Sequence, residues 1–233
     1  MRAIVVVPTY NELANLETLV QKLKQYAPDL HVMIVDDNSP DGTGKLADEL
    51  CAAEPERISV LHRERKEGLG RAYVEGFKEV LKKDYEYILQ MDADLSHDPV
   101  HLPDFFANIQ NHDLVVGSRY LKGISVVNWD LKRLAMSKLA SNYVRSITRM
   151  PFTDPTSGFN CWRREALEAI SFQNAFSSGY VFLVELKYKA FRKHFRVGEV
   201  PIIFIERKSG DSKMDWAVIW EAFWGVLRLR LRH

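Results

Sequence analysis

AIVVVPTYNELANLETLVQKLKQYAPDLHVMIVDD, residues 3–37, contains one complete strand–helix–strand unit. Residues 3–7 are a short β-branched run stopped by Pro8 and read as a buried strand. Over residues 13–26 the apolar side chains Leu16, Leu19, Val20 and Leu23 recur at helical spacing. Residues 32–35 form a second apolar run, and the loop after it, from Asp36 and Asp37 to Gly42, is dense in turn residues. The rhythm then continues. A helix capped by Thr43 runs to Ala53, a strand covers 58–61, a helix 69–81, and strands 87–91 and 114–117 follow. Such alternation predicts an α/β fold with a mostly parallel central sheet flanked by helices. In sheets of this kind ligands bind beyond the carboxyl ends of the strands. The polar clusters of this chain all follow strands directly.

The second half is less regular. Residues 131–147, 180–191 and 215–231 read as helices, 151–158 and 207–213 as polar loops, and 197–206 as extended. No linker or repeat divides the chain, so one domain is expected over residues 1–213. Residues 214–233 then form a C-terminal amphipathic helix. On a helical wheel, Trp216, Ile219, Trp220, Phe223, Trp224, Val226 and Leu227 share one face. Glu221, Gly225, Arg228 and Arg232 fall opposite. Three Trp with terminal Arg suit either a membrane interface or packing on the domain.

The composition narrows the class. The 233 residues are 46% apolar and 27% charged, ordinary for a globular chain and unlike a disordered one. Lys plus Arg number 32 against 31 Asp plus Glu, which argues against a nucleic-acid partner. Cys51 and Cys161 stand far apart and form neither a disulfide framework nor a zinc motif, so a cytoplasmic setting is expected. The apolar start is too short for a signal peptide, and no run is long enough to span a membrane.

Four clusters carry candidate chemistry. Asp92 and Asp94 close an apolar strand and point the same way, because side chains alternate along extended backbone. Two adjacent carboxylates repel unless a cation joins them, and Mg²⁺ or Mn²⁺ would leave positions open for phosphate oxygens. A solvated acidic loop is the plainer reading. Asp36 and Asp37 end another strand and suit either a ribose contact or a turn. Pro8, Tyr10 and Glu12 suit either a base pocket or a capping loop with Asn11 as cap. Arg119, Arg133, Lys138, Arg207 and Lys213 supply phosphate-binding groups, with surface ion pairs as the alternative for each. Gly68, Gly70 and Gly76 do not match the dinucleotide fingerprint, and Arg63, Arg65 and Lys66 read as solvated charge.

Taken together, the motifs VPTYNE at 7–12, VDDNSPDGT at 35–43, GLG at 68–70, MDADLSH at 91–97, GSRY at 117–120, DPTSGF at 154–159 and RKSGDSK at 207–213 resemble the inverting glycosyltransferases of family 2. The likeness is closest to the branch that makes lipid-phosphate mannose. The resemblance implies a single GT-A (Rossmann-like) domain. It implies a nucleotide pocket from Pro8, Tyr10, Glu12, Val35 and Asp37. It also implies a metal held by Asp92 and Asp94, with Ala93 lining the donor site and Ser96 as a direct or water-mediated third contact. Arg119 and Arg133, with Ser137 nearby, would grip an acceptor phosphate, and Arg207 and Lys213 the donor diphosphate. Asp94, Arg119 and Arg133 are the implied catalytic residues. GDP-mannose is the implied donor, with UDP-glucose as the alternative, and dolichyl or polyprenyl phosphate the acceptor. The implied location is the cytoplasmic face of a membrane, held peripherally at its surface or through small membrane partner subunits.

Overall fold

The structure is a computed structural model that describes residues 2–127, 129–177, 179–205 and 216–232; the side chains of residues 180 and 216–222 lie outside the description. The first unit is β1 (Ala3–Thr9), α1 (Leu13–Tyr26) and β2 (His31–Asp36). Then come α2 (Thr43–Ala53), β3 (Ile58–His62), α3 (Leu69–Val80), β4 (Tyr87–Gln90), α4 (Leu102–Ile109) and β5 (Leu114–Ser118). The remainder comprises β6 (Val126–Val127), α5 (Leu131–Thr148), β7 (Asn160–Arg163), α6 (Arg164–Ala169), α7 (Tyr180–Arg192), β8 (Val197–Pro201), β9 (Phe204–Ile205) and α8 (Trp216–Arg232).

Seven strands form the main sheet in the order β3-β2-β1-β4-β7-β5-β8. All neighbours run parallel except β7, which is antiparallel to both β4 and β5. The chain moves outward from β1 to β2 and β3, then returns to place β4 on the other side of β1. Strand order therefore reverses between β1 and β4, where α/β sheets open a ligand crevice. Val6 pairs with Gln90, so Pro8–Glu12 and the Asp92–Asp94 segment leave the sheet side by side.

β1 is buried on both faces, as expected of a central parallel strand. Val5 and Val7 pack with Leu16, Leu19 and Leu23 of α1, while Ile4 and Val6 pack with Tyr73, Phe77 and Phe182 on the other side. Gly76 lets α3 approach: a Cβ there would lie 2.6 Å from Val6 Cγ1 and 3.0 Å from Val35 Cγ2. The α2 cap is Gly42, at φ +95°, rather than Thr43, which is the first helical residue.

The extended stretch expected at 197–206 is two strands. β8 joins the main sheet, and β9 pairs with β6 in a separate ribbon. A third apolar cluster joins α5, α7 and α8 through Val144, Val184, Tyr188, Val226 and Leu229. The wheel is corrected here: Gly225, expected on the polar face, meets α7, where an added Cβ would lie 2.9 Å from Val181 Cγ2. α8 therefore packs on the domain. Phe223 stacks on Tyr143 of α5 at 4.9 Å, while Trp224 stays 61% exposed and Leu231 88% exposed. Trp216, Ile219 and Trp220 have side chains outside the described residues.

Candidate active site

The loops after β1 and β2 are stapled to each other. Ser39 Oγ accepts from Asn11 N–H at 3.1 Å, Thr43 Oγ1 from Glu12 N–H at 2.9 Å, and Asp41 Oδ2 from Leu13 N–H at 3.2 Å. These acceptors satisfy N–H groups at the start of α1 that have no partner in the helix. Glu12, not Asn11, occupies the cap position. Of the acidic pair, Asp36 is structural: Oδ1 accepts from Thr9 Oγ1 at 2.9 Å and Ser39 Oγ at 2.6 Å.

Asp37 is buried beside Arg63, whose Nη1 donates to its carboxylate. Burial pushes the Asp37 carboxyl up, against the pull of the Arg63 hydrogen bond and charge. Arg63 also reaches Glu67 and Glu75, each at 3.0 Å. It is therefore a buried anchor of this pocket and not solvated charge. Its position just past β3, at the same sheet edge as Asp37, was the available signal. Lys66 lies 3.8 Å above the Tyr10 ring, so the aromatic and a cation share this mouth. Pro8 is half-buried here. The Val35 side chain is wholly buried in the core beneath Gly76, which leaves its backbone at the end of β2 to face the pocket.

The Asp92–Asp94 segment leaves the next strand over. Asp94 is buried, and its Oδ1 accepts from Ser96 N–H at 3.0 Å and Ser96 Oγ at 2.6 Å. Leu95 between them takes φ +62° to close this turn. Ser96 is 1% exposed and its hydroxyl proton is committed to Asp94. It braces the carboxylate, and its place beside Asp94 keeps it next to the expected metal position. Ala93 is buried between the two acids. Asp92 N–H donates to His97 Nδ1 at 3.2 Å, and burial lowers the His97 pKa against the pull of the nearby carboxylates. The backbone of Gly158 faces Asp92: an added Cβ would sit 3.5 and 3.6 Å from its carboxylate oxygens. Among the described residues no three His, Cys, Asp or Glu side chains form a metal cage. Two hard carboxylates beside an uncrowded backbone instead suit a divalent cation shared with phosphate oxygens.

The basic side lies past β5. Arg119 and Asp154 form a buried bidentate pair, Nε–Oδ2 at 2.6 Å and Nη2–Oδ1 at 2.8 Å. Arg119 N–H adds a bond to Oδ2 at 3.2 Å, and Nη2 reaches Thr156 Oγ1 at 2.8 Å. Burial alone would raise the Asp154 carboxyl; the Arg119 charge and hydrogen bonds outweigh it and hold that carboxyl below its usual range. Arg119 is thus substantially committed to Asp154, which narrows the expected phosphate grip. Its guanidinium carbon lies 5.7 Å from the Trp129 ring centre, and that of Arg133 lies 4.7 Å from the same ring. Trp129 therefore brings the two arginines to one place. Asp130 caps α5 by accepting from Arg133 N–H at 2.6 Å. Ser137 Oγ accepts from Tyr120 Oη at 2.8 Å, and Lys138 covers the Tyr120 ring at 4.2 Å. Arg207 and Lys213 lie outside the described residues. Asp154 and Gly158 were legible as part of the DPTSGF motif within a polar loop, but neither the buried pairing of the one nor the approach of the other to Asp92 has a local signature.

Comparison with known proteins matches this arrangement to a family. The description Glycosyl transferase family 2 fits residues 4–171. The chain belongs to that family. Among relatives of this glycosyltransferase, the polyprenol monophosphomannose synthase of Mycolicibacterium smegmatis is 43% identical over 99% of this chain and 88% of its own length. The undecaprenyl-phosphate mannosyltransferase of Micrococcus luteus is 40% identical over 98% of this chain and 93% of its own. The dolichol-phosphate mannosyltransferase of Pyrococcus furiosus is 35% identical, covering 98% of this chain and 64% of its own. Among solved structures, glucosyl-3-phosphoglycerate synthase from Mycobacterium tuberculosis aligns with TM-score 0.70 at 17% identity, over 99% of this chain and 79% of that one. It shares the GT-A fold expected from the sequence, and one structure of that enzyme holds Mn²⁺ and UDP.

Proposed function

We propose that this glycosyltransferase moves mannose from GDP-mannose to the phosphate of a polyprenyl or dolichyl phosphate, inverting the anomeric carbon. The observation that carries the reading is the pairing of Arg119 and Arg133 around Trp129, on the far side of Asp92 and Asp94 from the Asp37 pocket. Relatives named for mannose transfer to lipid phosphates supply the sugar and acceptor class.

The chemistry follows from the residues. Tyr10, Glu12 and Asp37 hold the nucleoside, with Arg63 fixing Asp37. Asp92 and Asp94 would hold Mg²⁺ or Mn²⁺, which neutralises charge on the departing diphosphate. Arg207 and Lys213 add positive charge to the same group. A phosphate monoester is mostly ionised near neutral pH, since its second pKa is about 6. The acceptor oxygen needs no strong base, and positioning by Arg133 and the Arg119 cluster provides the in-line approach. One displacement forms the bond from phosphate oxygen to anomeric carbon and breaks the bond to the diphosphate. The product is a β-linked lipid-phosphate mannose.

Among the described residues no helix is long and apolar enough to cross a membrane. α5 and α8 nonetheless pack together, through Tyr143 and Phe223, and expose Leu131, Leu139, Trp224 and Leu231. Arg228 and Arg232 are exposed on α8, their guanidiniums 5.5 and 5.1 Å from the Phe176 ring centre. An apolar surface with aromatic and basic groups suits peripheral attachment to a membrane that holds the acceptor. Purified protein given a polyprenyl phosphate and labelled GDP-mannose beside UDP-glucose tests the function. Lipid-linked mannose is expected; lipid-linked glucose alone would move the donor to UDP-glucose.

A further inference from the structure

We propose that Lys187 is a positioning residue that ties the acceptor-side arginine to the donor-side carboxylate through the loop 154–158. The inference rests on the site reading above, in which Arg119 serves the acceptor and Asp92 the donor diphosphate.

Lys187 lies on α7 and is wholly buried. Its Nζ donates to Ser157 O at 2.6 Å and to Leu183 O, one turn back on its own helix, at 3.1 Å. Lysine is almost never this buried without a partner that demands it, and an apolar side chain of equal length would pack there without losing hydration. Burial pushes its pKa down to about 7; Asp154 pulls it up and Arg119 opposes. The neutral amine still carries two N–H donors for the two carbonyls, so the tether does not depend on the charge.

What the lysine holds explains its place. The loop begins at Asp154, which grips the Arg119 guanidinium through two bonds and its backbone N–H through one more, and Thr156 adds a fourth. Ser157, whose carbonyl receives Lys187, comes next. Gly158 follows immediately and lies against the Asp92 carboxylate and His97. Within five residues the loop thus grips the acceptor arginine, receives the buried lysine and turns the bare backbone of Gly158 toward the donor-side carboxylate, where an added Cβ would lie 3.5 Å from Asp92 Oδ2. Ser157 O takes one further donor, Asn160 Nδ2, at a longer 3.3 Å. Lys187 is therefore the closer of the two donors to Ser157 O. Both reacting groups must be held within a fraction of an ångström for an in-line displacement.

Lys187→Met keeps the apolar stem but removes the donors, and Lys187→Gln restores an amide NH₂ with two donors on a stem one atom shorter. In full-length protein, Lys187→Met is expected to raise the KM for polyprenyl phosphate about 10-fold and to lower kcat about 10-fold. Binding of GDP without metal, which rests on the Asp37 pocket, should change less than about twofold. Lys187→Gln should recover part of both losses. If Lys187→Met does not fold, Lys187→Gln against wild type carries the same split between acceptor KM and GDP binding. A lower melting temperature with unchanged kcat and acceptor KM per folded molecule overturns the proposal, since a structural lysine would behave so. Failure of wild type to use polyprenyl phosphate instead refutes the function reading on which the proposal stands.

Discussion

Replacing Asp154 by Asn removes one charge from the Arg119 pair while keeping its shape. Asp154 is fully buried and accepts from Arg119 Nε, Nη2 and backbone N–H. Breaking a buried pair from one side leaves the other charge uncompensated and costs about 3–5 kcal/mol. At roughly 2–4 °C per kcal/mol for a chain of this size, the melting temperature should fall by about 6–20 °C. The pH dependence carries a second signature. Arg119 holds the folded Asp154 carboxyl below its unfolded value. Its stabilising share is therefore complete above the unfolded pKa, near about 4, and is lost as pH falls through the lower folded value. Urea titrations of wild type at falling pH should show this loss, and the Asn variant should lack that component. The double change Arg119→Met with Asp154→Leu should regain much of the stability while activity stays lost, because apolar residues of similar volume replace buried pairs at little cost. A loss under about 1 kcal/mol for Asp154→Asn, with unaltered acid sensitivity, would refute the reasoning.

The other expected outcomes concern each remaining part of the site. Arg63→Met removes the partner that opposes the burial-raised Asp37 carboxyl. Calorimetric GDP affinity should fall about 10-fold, with the loss growing as pH falls toward the carboxylate range, and a loss independent of pH would contradict the account. Ser96→Ala strips the brace from Asp94 Oδ1 and should weaken Mn²⁺ activation by about 10-fold, in the range seen when outer-shell partners of a metal ligand are lost. An unshifted Mn²⁺ titration would show that Ser96 plays no part. Trp224→Ser with Leu231→Ser should reduce sedimentation with anionic liposomes while GDP binding holds; undiminished sedimentation would place the membrane contact elsewhere.

The first half of the chain was legible because each element there has a local cause. The helix over 13–26 follows its apolar spacing and matches α1 residue for residue. The parallel strands follow β-branched runs with turns behind them. β7 was not anticipated: Asn160-Cys161-Trp162-Arg163 is four residues long, and its place between β4 and β5 depends on long-range pairing. The strands flagged the edge where Asp37, Asp92 and Arg119 gather, since carboxyl-terminal loops of a parallel sheet share one end. The partners of those residues were not legible. Arg63 looked like one charge in a run, and Asp154 like one member of the DPTSGF loop with no role of its own. Burial decides both roles, and burial is a property of the assembled sheet. The helical wheel of α8 failed at Gly225 for the same reason: a missing side chain permits close packing on Val181, which an average polarity ranking cannot register.

The most direct test is transfer of labelled mannose from GDP-mannose to a purified polyprenyl phosphate, by wild type and by Asp94→Ala, with Mn²⁺ and with excess chelator. The account predicts lipid-linked mannose from wild type with Mn²⁺, and almost none with chelator or with Asp94→Ala. It also predicts that Asp94→Ala stays folded. Undiminished transfer by folded Asp94→Ala would contradict the assignment of this carboxylate to the donor diphosphate.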